Sequence, residues 1–139
     1  MSAATQRRKQ IRDEVQGRLS AALSGFAPVE VFSQQRFALR DGTRNCASVF
    51  FTEGEVETDL SERTDRGQLA IRVATRVSLA VDDQLDAMVD AVEQALDAEP
   101  LLGGLVSSLL QSDWAYGVDE QTGFAWQALA YRIRFETDR

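Results

Sequence analysis

The sequence predicts an α+β fold: a two-layer domain with a mostly antiparallel sheet of four to five strands and two amphipathic helices packed on one face. Three observations carry this prediction. Residues 68 to 81, QLAIRVATRVSLAV, alternate apolar with small or polar side chains throughout, the period of a strand with one buried face. Two other segments repeat their apolar residues at helical spacing. The remaining strand-like runs are joined by polar stretches that suit antiparallel hairpins.

In chain order, the first helix spans Ala4 to Leu23, where Ile11, Val15, Leu19, Ala22 and Leu23 recur at helical intervals. Ser24-Gly25 and Pro28 end it. Arg7, Arg8, Lys9 and Arg12 crowd its first turns, where the helix dipole disfavours cations, so the first few residues are expected to fray. Val29 to Phe32 reads as a short strand, and residues 33 to 47, which include Asp41-Gly42, as a loop. Ser48 to Thr58 reads as a strand with a bend or bulge at Gly54, and DLSERTDRG, 59 to 67, as a polar connection. After the long strand, Asp82 or Asp83 caps a second helix running to Ala98, with Leu85, Met88, Val89, Val92 and Leu96 as its apolar stripe. Pro100 stops it, and LLGG turns the chain into a strand from Val106 to Val118. A hairpin through residues 119 to 123 leads to the last strand, Phe124 to Thr137, with Leu129, Tyr131, Ile133 and Phe135 on one face. The 139 residues make one domain, long enough to bury about two-thirds of its unfolded surface.

Composition removes whole classes of function. There is no histidine and a single cysteine, Cys46. That takes away the commonest general base and metal ligand, every His-containing triad, and any intramolecular disulfide. Cys46, in an expected loop with no histidine to activate it, is expected to be inert. Neither a P-loop nor a dinucleotide fingerprint is present, and Gly103-Gly104 alone is weak evidence for a phosphate loop. Among 22 acids no pair is marked out for glycosidase-like work. No catalytic site, metal or cofactor is expected. A net charge of −7, with one lysine and fourteen arginines, argues against nucleic acid as the main partner. No run approaches the ~20 apolar residues of a membrane span, and none follows the charged N-terminus as in a signal peptide. A reducing, intracellular setting is expected.

The placement of charge is more informative. Residues 82 to 99 hold seven acids and no Lys or Arg. Asp83, Asp86, Asp90, Glu93 and Asp97 step by three and four, so they line one stripe of the second helix. Like charges at that spacing cost roughly a kcal/mol in all when they stand alone in water. The bland account is a solvated face that keeps the protein soluble. On the sheet, the residues opposite the core include Arg72 and Arg76 in the long strand. In the last strand they are Phe124, Trp126, Ala128, Ala130, Arg132 and Arg134. Tryptophan and arginine over small residues is the composition of a protein-binding hot spot, unless a bulge turns Trp126 inward. An acidic helix and a basic sheet face on one domain suggest head-to-tail self-association.

This layout resembles the tail terminator proteins of long-tailed bacteriophages, the minor tail protein U type of lambda-like phages. The resemblance rests on the leading helix IRDEVQGRLSAAL, the strand QLAIRVATRVSLAV running into DDQLDAMVDAVEQAL, the joint PLLGGLV, and the closing strand ALAYRIRFET. It spans roughly residues 10 to 137 and is one of pattern and order. It implies a hexameric ring on the end of the finished tail tube that stops further tube subunits from adding and presents the surface to which the filled head docks. The implied partners are further copies of the chain, the tail tube protein and a head-completion or connector protein. The implied location is the head-proximal end of the virion tail, with the host cytoplasm during assembly. The acidic helix of one subunit then faces Arg72, Arg76, Trp126, Arg132 and Arg134 of the next. The hairpin connections near Glu62, Arg63, Asp65 and Arg66 and near Asp119 and Glu120 are expected to touch tube or head. Another head–tail connector or neck protein, or a non-viral α+β adaptor domain, are the alternatives.

Overall fold

The computed structural model describes residues 2–33 and 44–138; positions 34–43 of the expected loop lie outside the described residues. Helix α1 (Ala3–Ala22) buries Ala4, Ile11, Val15 and Leu19. Its start does not fray as expected. The Ser2 hydroxyl accepts a 3.1 Å hydrogen bond from the Thr5 amide, a cap that satisfies an otherwise orphaned donor. Arg7 and Arg8 then tie the first turns down, donating to the Leu105 carbonyl at 3.0 Å and to Asp65 Oδ2 at 3.4 Å.

Five strands, β1 (Val29–Phe32), β2 (Asn45–Thr58), β3 (Glu62–Arg76), β4 (Ser108–Asp119) and β5 (Phe124–Asp138), form one sheet in the order β1-β2-β3-β5-β4. Every pairing is antiparallel except β1 with β2, which is parallel. The segment expected as a polar connection is mostly strand. Asp59 Oδ1 accepts from the amides of Ser61 and Glu62 at 3.0 and 2.9 Å, closing a tight turn that leaves Glu62 onward free to pair. β3 therefore starts earlier than its apolar alternation suggests and stops at Arg76, and Val77–Ala80 lead into helix α2 (Val81–Ala98). No side chain caps α2; Asp82 and Asp83 sit in its first turn, where negative charge suits the dipole. The irregularity in β2 falls between Phe51 and Glu53 rather than at Gly54. Gly54 instead faces Gly67 across the ladder, where a Cβ would come within 3.0 Å of the Arg66 carbonyl oxygen.

Both helices cover the same face of the sheet, as expected. Ile11, Val15 and Leu19 of α1 and Leu85, Met88, Val92 and Leu96 of α2 pack on Val49, Leu69, Ile71, Val73, Leu129, Tyr131, Ile133 and Phe135. Each such fully buried aliphatic side chain stabilises the fold by about 1.5–3 kcal/mol relative to exposure. α1 lies against β1 and β2, and α2 against β3 and β5. The edge strand β4 extends past this cover. After α2, a single 3₁₀ turn at Leu102–Gly104 buries Leu102, with Gly103 and Gly104 at φ 67° and 89°. Glu99 Oε1 accepts from the Gly103 amide at 2.9 Å. No helix among the described residues is long and apolar enough to cross a membrane.

Candidate subunit interface

The strand register settles which way the predicted sheet residues point. Arg72 pairs with Ala128, Ala74 with Trp126, Arg76 with Phe124, Gln68 with Arg132 and Arg66 with Arg134. Paired residues share a face, so Arg72, Arg76, Trp126, Arg132 and Arg134 all lie on the face away from the helices, joined by Arg66. No bulge turns Trp126 inward. The Arg72 guanidinium lies 4.9 Å from the Trp126 ring centroid and that of Arg76 4.8 Å from the Phe124 ring, both within cation–π range. Phe124, only 5% exposed, forms a small second cluster with Ala74 and Cys46. Cys46 is thus a buried strand residue and not a loop residue. Its thiol is pushed up to about 12, chiefly by burial and then by the Glu30 charge, which disfavours the reactive thiolate.

The same register corrects the expectation of a basic face. Glu55 of β2 lies opposite Arg66 and Glu53 opposite Gln68, while Asp113 and Asp119 of β4 lie opposite Ala130 and Phe124. The arginines of β3 and β5 therefore form a median band between acidic margins. Several are already paired: Arg66 with Glu57 at 2.9 Å and Arg134 with Glu136 at 2.9 Å. An open depression of about 470 Å³ at this end is lined by Glu53, Glu55, Arg66, Arg132 and Arg134. A second, of about 320 Å³, is lined by Cys46, Arg72, Phe124 and Trp126.

The acidic stripe of α2 is more sharply placed than expected. Leu85, Met88, Val89, Val92 and Leu96 face the core. At 100° per residue, Asp82, Asp86, Asp90, Glu93 and Asp97 then fall on one side of that buried stripe, with Asp83 at its outer margin. That side faces β4. Tyr116 donates a 3.0 Å hydrogen bond to Asp86 Oδ1, and the charges of Glu93 and Asp97 help burial to raise the Tyr131 phenol. Among the described residues the only acid of 82–99 with a cationic partner is Glu99, held by Arg18 at 2.9 Å. Beneath this acidic wall the sheet is bare: Trp114 is 65%, Tyr116 50% and Val118 62% exposed. The ring planes of Trp114 and Tyr116 meet edge to face, 5.4 Å apart. Sequence reading missed these three. Their alternation in SLLQSDWAYGVD was visible, but not that both helices lie over other strands.

The remaining predicted residues lie at opposite ends of the sheet. Glu62 pairs with Asp138 at one end of β3, and Arg76 with Phe124 at the other, beside Asp119 and Glu120. At about 3.3 Å per residue those ends are roughly 45 Å apart. Glu62, Arg63, Asp65 and Arg66 belong to a strand rather than to a connection. Asp65 is only 6% exposed, held on the helix side by Arg63 at 2.8 Å and Arg8 at 3.4 Å, so it is not available to a partner. The projecting feature at that end is the turn carrying Leu60, 97% exposed. At the other end Asp119 Oδ1 accepts from the Gln121 and Thr122 amides at 3.0 and 3.3 Å, which leaves Glu120 as the free acid of the turn.

No three acidic or cysteine side chains converge into a metal-sized cluster among the described residues. The surfaces that the fold exposes are an acidic helix side, an aromatic strip on the edge strand and an arginine band on the open sheet face. The profile of the phage minor tail protein U family matches residues 6–135; the chain belongs to that family and is a structural component of the phage tail. Among solved structures it is similar to a chain of the virion of a native gene transfer agent particle, with 18% identity and a TM-score of 0.55, covering 91% of this chain and 94% of that one. It is also similar to a chain of the sheath/tube terminator of an extracellular contractile injection system in its extended state, with 8% identity and a TM-score of 0.49, covering 91% of this chain and 57% of that one. No curated protein matches it in sequence.

Proposed function

We propose that this tail protein is a tail terminator. Copies close into a ring, of six as its family resemblance implies, on the end of the tail tube. The ring stops further tube subunits from adding and presents the surface to which the head connector docks. The role is structural, with no catalytic step.

The observation that carries this reading is the uncompensated acidic side of α2 beside the bare aromatic strip of β4. An exposed aromatic strip beside like charges that repel one another favours a covered surface, and the two lie on one flank only. A one-sided contact surface is heterologous and propagates from copy to copy until it closes. The separation of the Leu60 turn from the Glu120 turn adds support, because a ring between tube and head needs two different rims. The open sheet face, which carries Arg72, Arg76, Arg132 and Arg134 with Trp126, then lies outside the contact between copies and is proposed to meet a tail partner.

Electron microscopy of the purified protein, alone and with its tail tube subunit, tests the reading. Rings and tubes closed at one end are expected. Tubes that elongate at the same rate with the protein present as without it refute a terminator. Decoration of head connectors with no effect on tubes selects a neck protein instead.

A further inference from the structure

We propose that neighbouring copies join through the two outer sides of the helix layer. The ledge formed by the acidic side of α2 and the helix-side face of β4 receives the outer side of α1 from the next copy. This rests on the ring reading above and names the surfaces that close the ring.

The first half of the argument is that each helix carries charge against its own local interest. α1 opens with Arg7, Arg8, Lys9 and Arg12 and meets no acid before Asp13, although cations at a helix N-terminus are unfavourable. α2 carries like charges at three- and four-residue spacing, which repel. Two adjacent helices in one domain were free to cancel these charges against each other. Arg7 turns instead to the Leu105 carbonyl and Arg8 to Asp65, while Lys9 and Arg12 lie on the side of α1 away from α2. Arg18 of α1 reaches the Glu99 carbonyl at 2.7 Å, which fixes that side of α1 towards α2. On the other side, Arg12 donates to the Ser33 carbonyl at 3.1 Å and Gln16 to the Val31 carbonyl at 3.0 Å, so Arg12 lies at the β1 margin and Lys9 beyond it, beside Asp13 at 2.6 Å. The Arg12 guanidinium thus bonds to a neutral oxygen, while Asp82 and Asp90 have no cation among the described residues. Local choices that conflict with local stability mark surfaces with a further role.

The second half is the strip itself. β4 is a 12-residue edge strand with a bulge between Gln111 and Asp113; from Trp114 to Val118 it carries no charge or proline, and exposed apolar edges invite association. Its Trp114, Tyr116 and Val118 form the floor of the ledge, and an aromatic pair ringed by charge is the usual centre of a binding hot spot. The rim is acidic only, from Asp82, Asp86 and Asp90, so the occupant is basic. The median arginines of the open sheet face lie between acidic margins, whereas the outer side of α1 presents Lys9 and Arg12 with Asp13 as the acid beside them. The ledge lies at the β4 edge and the basic side at the β1 edge, so the contact runs head to tail and cannot close as a two-fold dimer.

Light-scattering mass, with circular dichroism as a check on folding, tests this by charge reversal. Asp86→Arg with Asp90→Arg is expected to weaken association at least about tenfold, as is Lys9→Glu with Arg12→Glu, and all four together to restore it. Trp114→Ser with Tyr116→Ser is expected to weaken it while circular dichroism still shows the folded domain. Arg132→Glu with Arg134→Glu is expected to leave the mass unchanged. If the first two pairs leave the wild-type mass intact, or the arginine-band pair dissociates the ring, these surfaces are wrong while the ring stands. A wild-type chain that stays a 15.4 kDa monomer both alone and on tube ends removes the ring reading and this inference together.

Discussion

The Tyr116 hydroxyl donates a 3.0 Å hydrogen bond to Asp86 Oδ1, and this contact joins the edge strand β4 to the acidic side of α2. The bond to a carboxylate favours the neutral phenol, and nearby Asp82 adds to it, so Tyr116 titrates above its ordinary value. Tyr131 is raised as well, first by burial and then by Glu93 and Asp97. A raised phenol contributes stability that is fully present below the unfolded value near 10 and is lost as pH rises through the folded value. A spectrophotometric titration of the wild type is expected to show neither phenol ionising at the ordinary midpoint. Tyr116→Phe is expected to remove the earlier of the two steps. A step of ordinary midpoint in the wild type shows that the Asp86 contact is not held in solution.

Gly117 lies across the ladder from Trp126, and a Cβ placed on it would fall inside the indole ring. The ring is held in place by the Arg72 guanidinium above it, so it has little room to yield. Gly117→Ala is expected to cost about 1–3 kcal/mol by overpacking. Combined with Trp126→Ala the same substitution is expected to lose most of that cost, a non-additivity of about 0.5–3 kcal/mol. Urea unfolding of the two single variants and the double variant measures the cycle. Additive losses place the indole elsewhere.

Two other glycines isolate backbone conformation from space, because a Cβ at either meets nothing within 4 Å. Gly17 is exposed in the middle of α1, and replacing it with alanine is expected to stabilise the protein by about 0.5–1 kcal/mol. Gly104 sits at φ 89°, where an L side chain is strained, and its alanine variant is expected to lose about 1–2 kcal/mol. Opposite shifts in urea midpoint are the expected result. Shifts of the same sign show that the turn after α2 does not hold its left-handed form.

How much of this was legible in the sequence depended on whether a signal was local. The alternation around Leu69, Ile71 and Val73 and the stripe from Leu85 to Leu96 are periodic over many residues, so two helices on one face of a sheet followed. Boundaries failed where one side chain decided them. Asp59 pulls the β2–β3 turn tight and turns an expected connection into strand, and Ser2 caps a helix start whose cations argued for fraying. The arginines were placed on the right face because period two fixes it. The acids beside them were missed, since strand order, and with it the neighbours of Arg66 and Arg132, is not written in any one segment. Trp114 and Tyr116 were passed over for the same reason: only the position of α2 over β3 and β5 leaves β4 bare.

Association between copies is expected to fall as salt rises, and the slope separates the two parts of the contact. The screening length shrinks from about 10 Å at 0.1 M to about 3 Å at 1 M ionic strength, so the attraction between the acidic side of α2 and the cations of α1 fades first. The apolar floor from Trp114 to Val118 is not screened, and salts of the sulfate type strengthen it. Light scattering across a sodium chloride series should therefore show a slope that Asp86→Arg with Asp90→Arg abolishes or inverts. Trp114→Ser with Tyr116→Ser should weaken binding at every salt concentration and leave the slope as it was. If the aromatic variant changes the slope and the acidic variant does not, steering belongs to some other pair of surfaces. If neither association nor slope responds to salt, the charges crowded onto α1 and α2 are only solvated, and the strip on β4 alone holds the copies together.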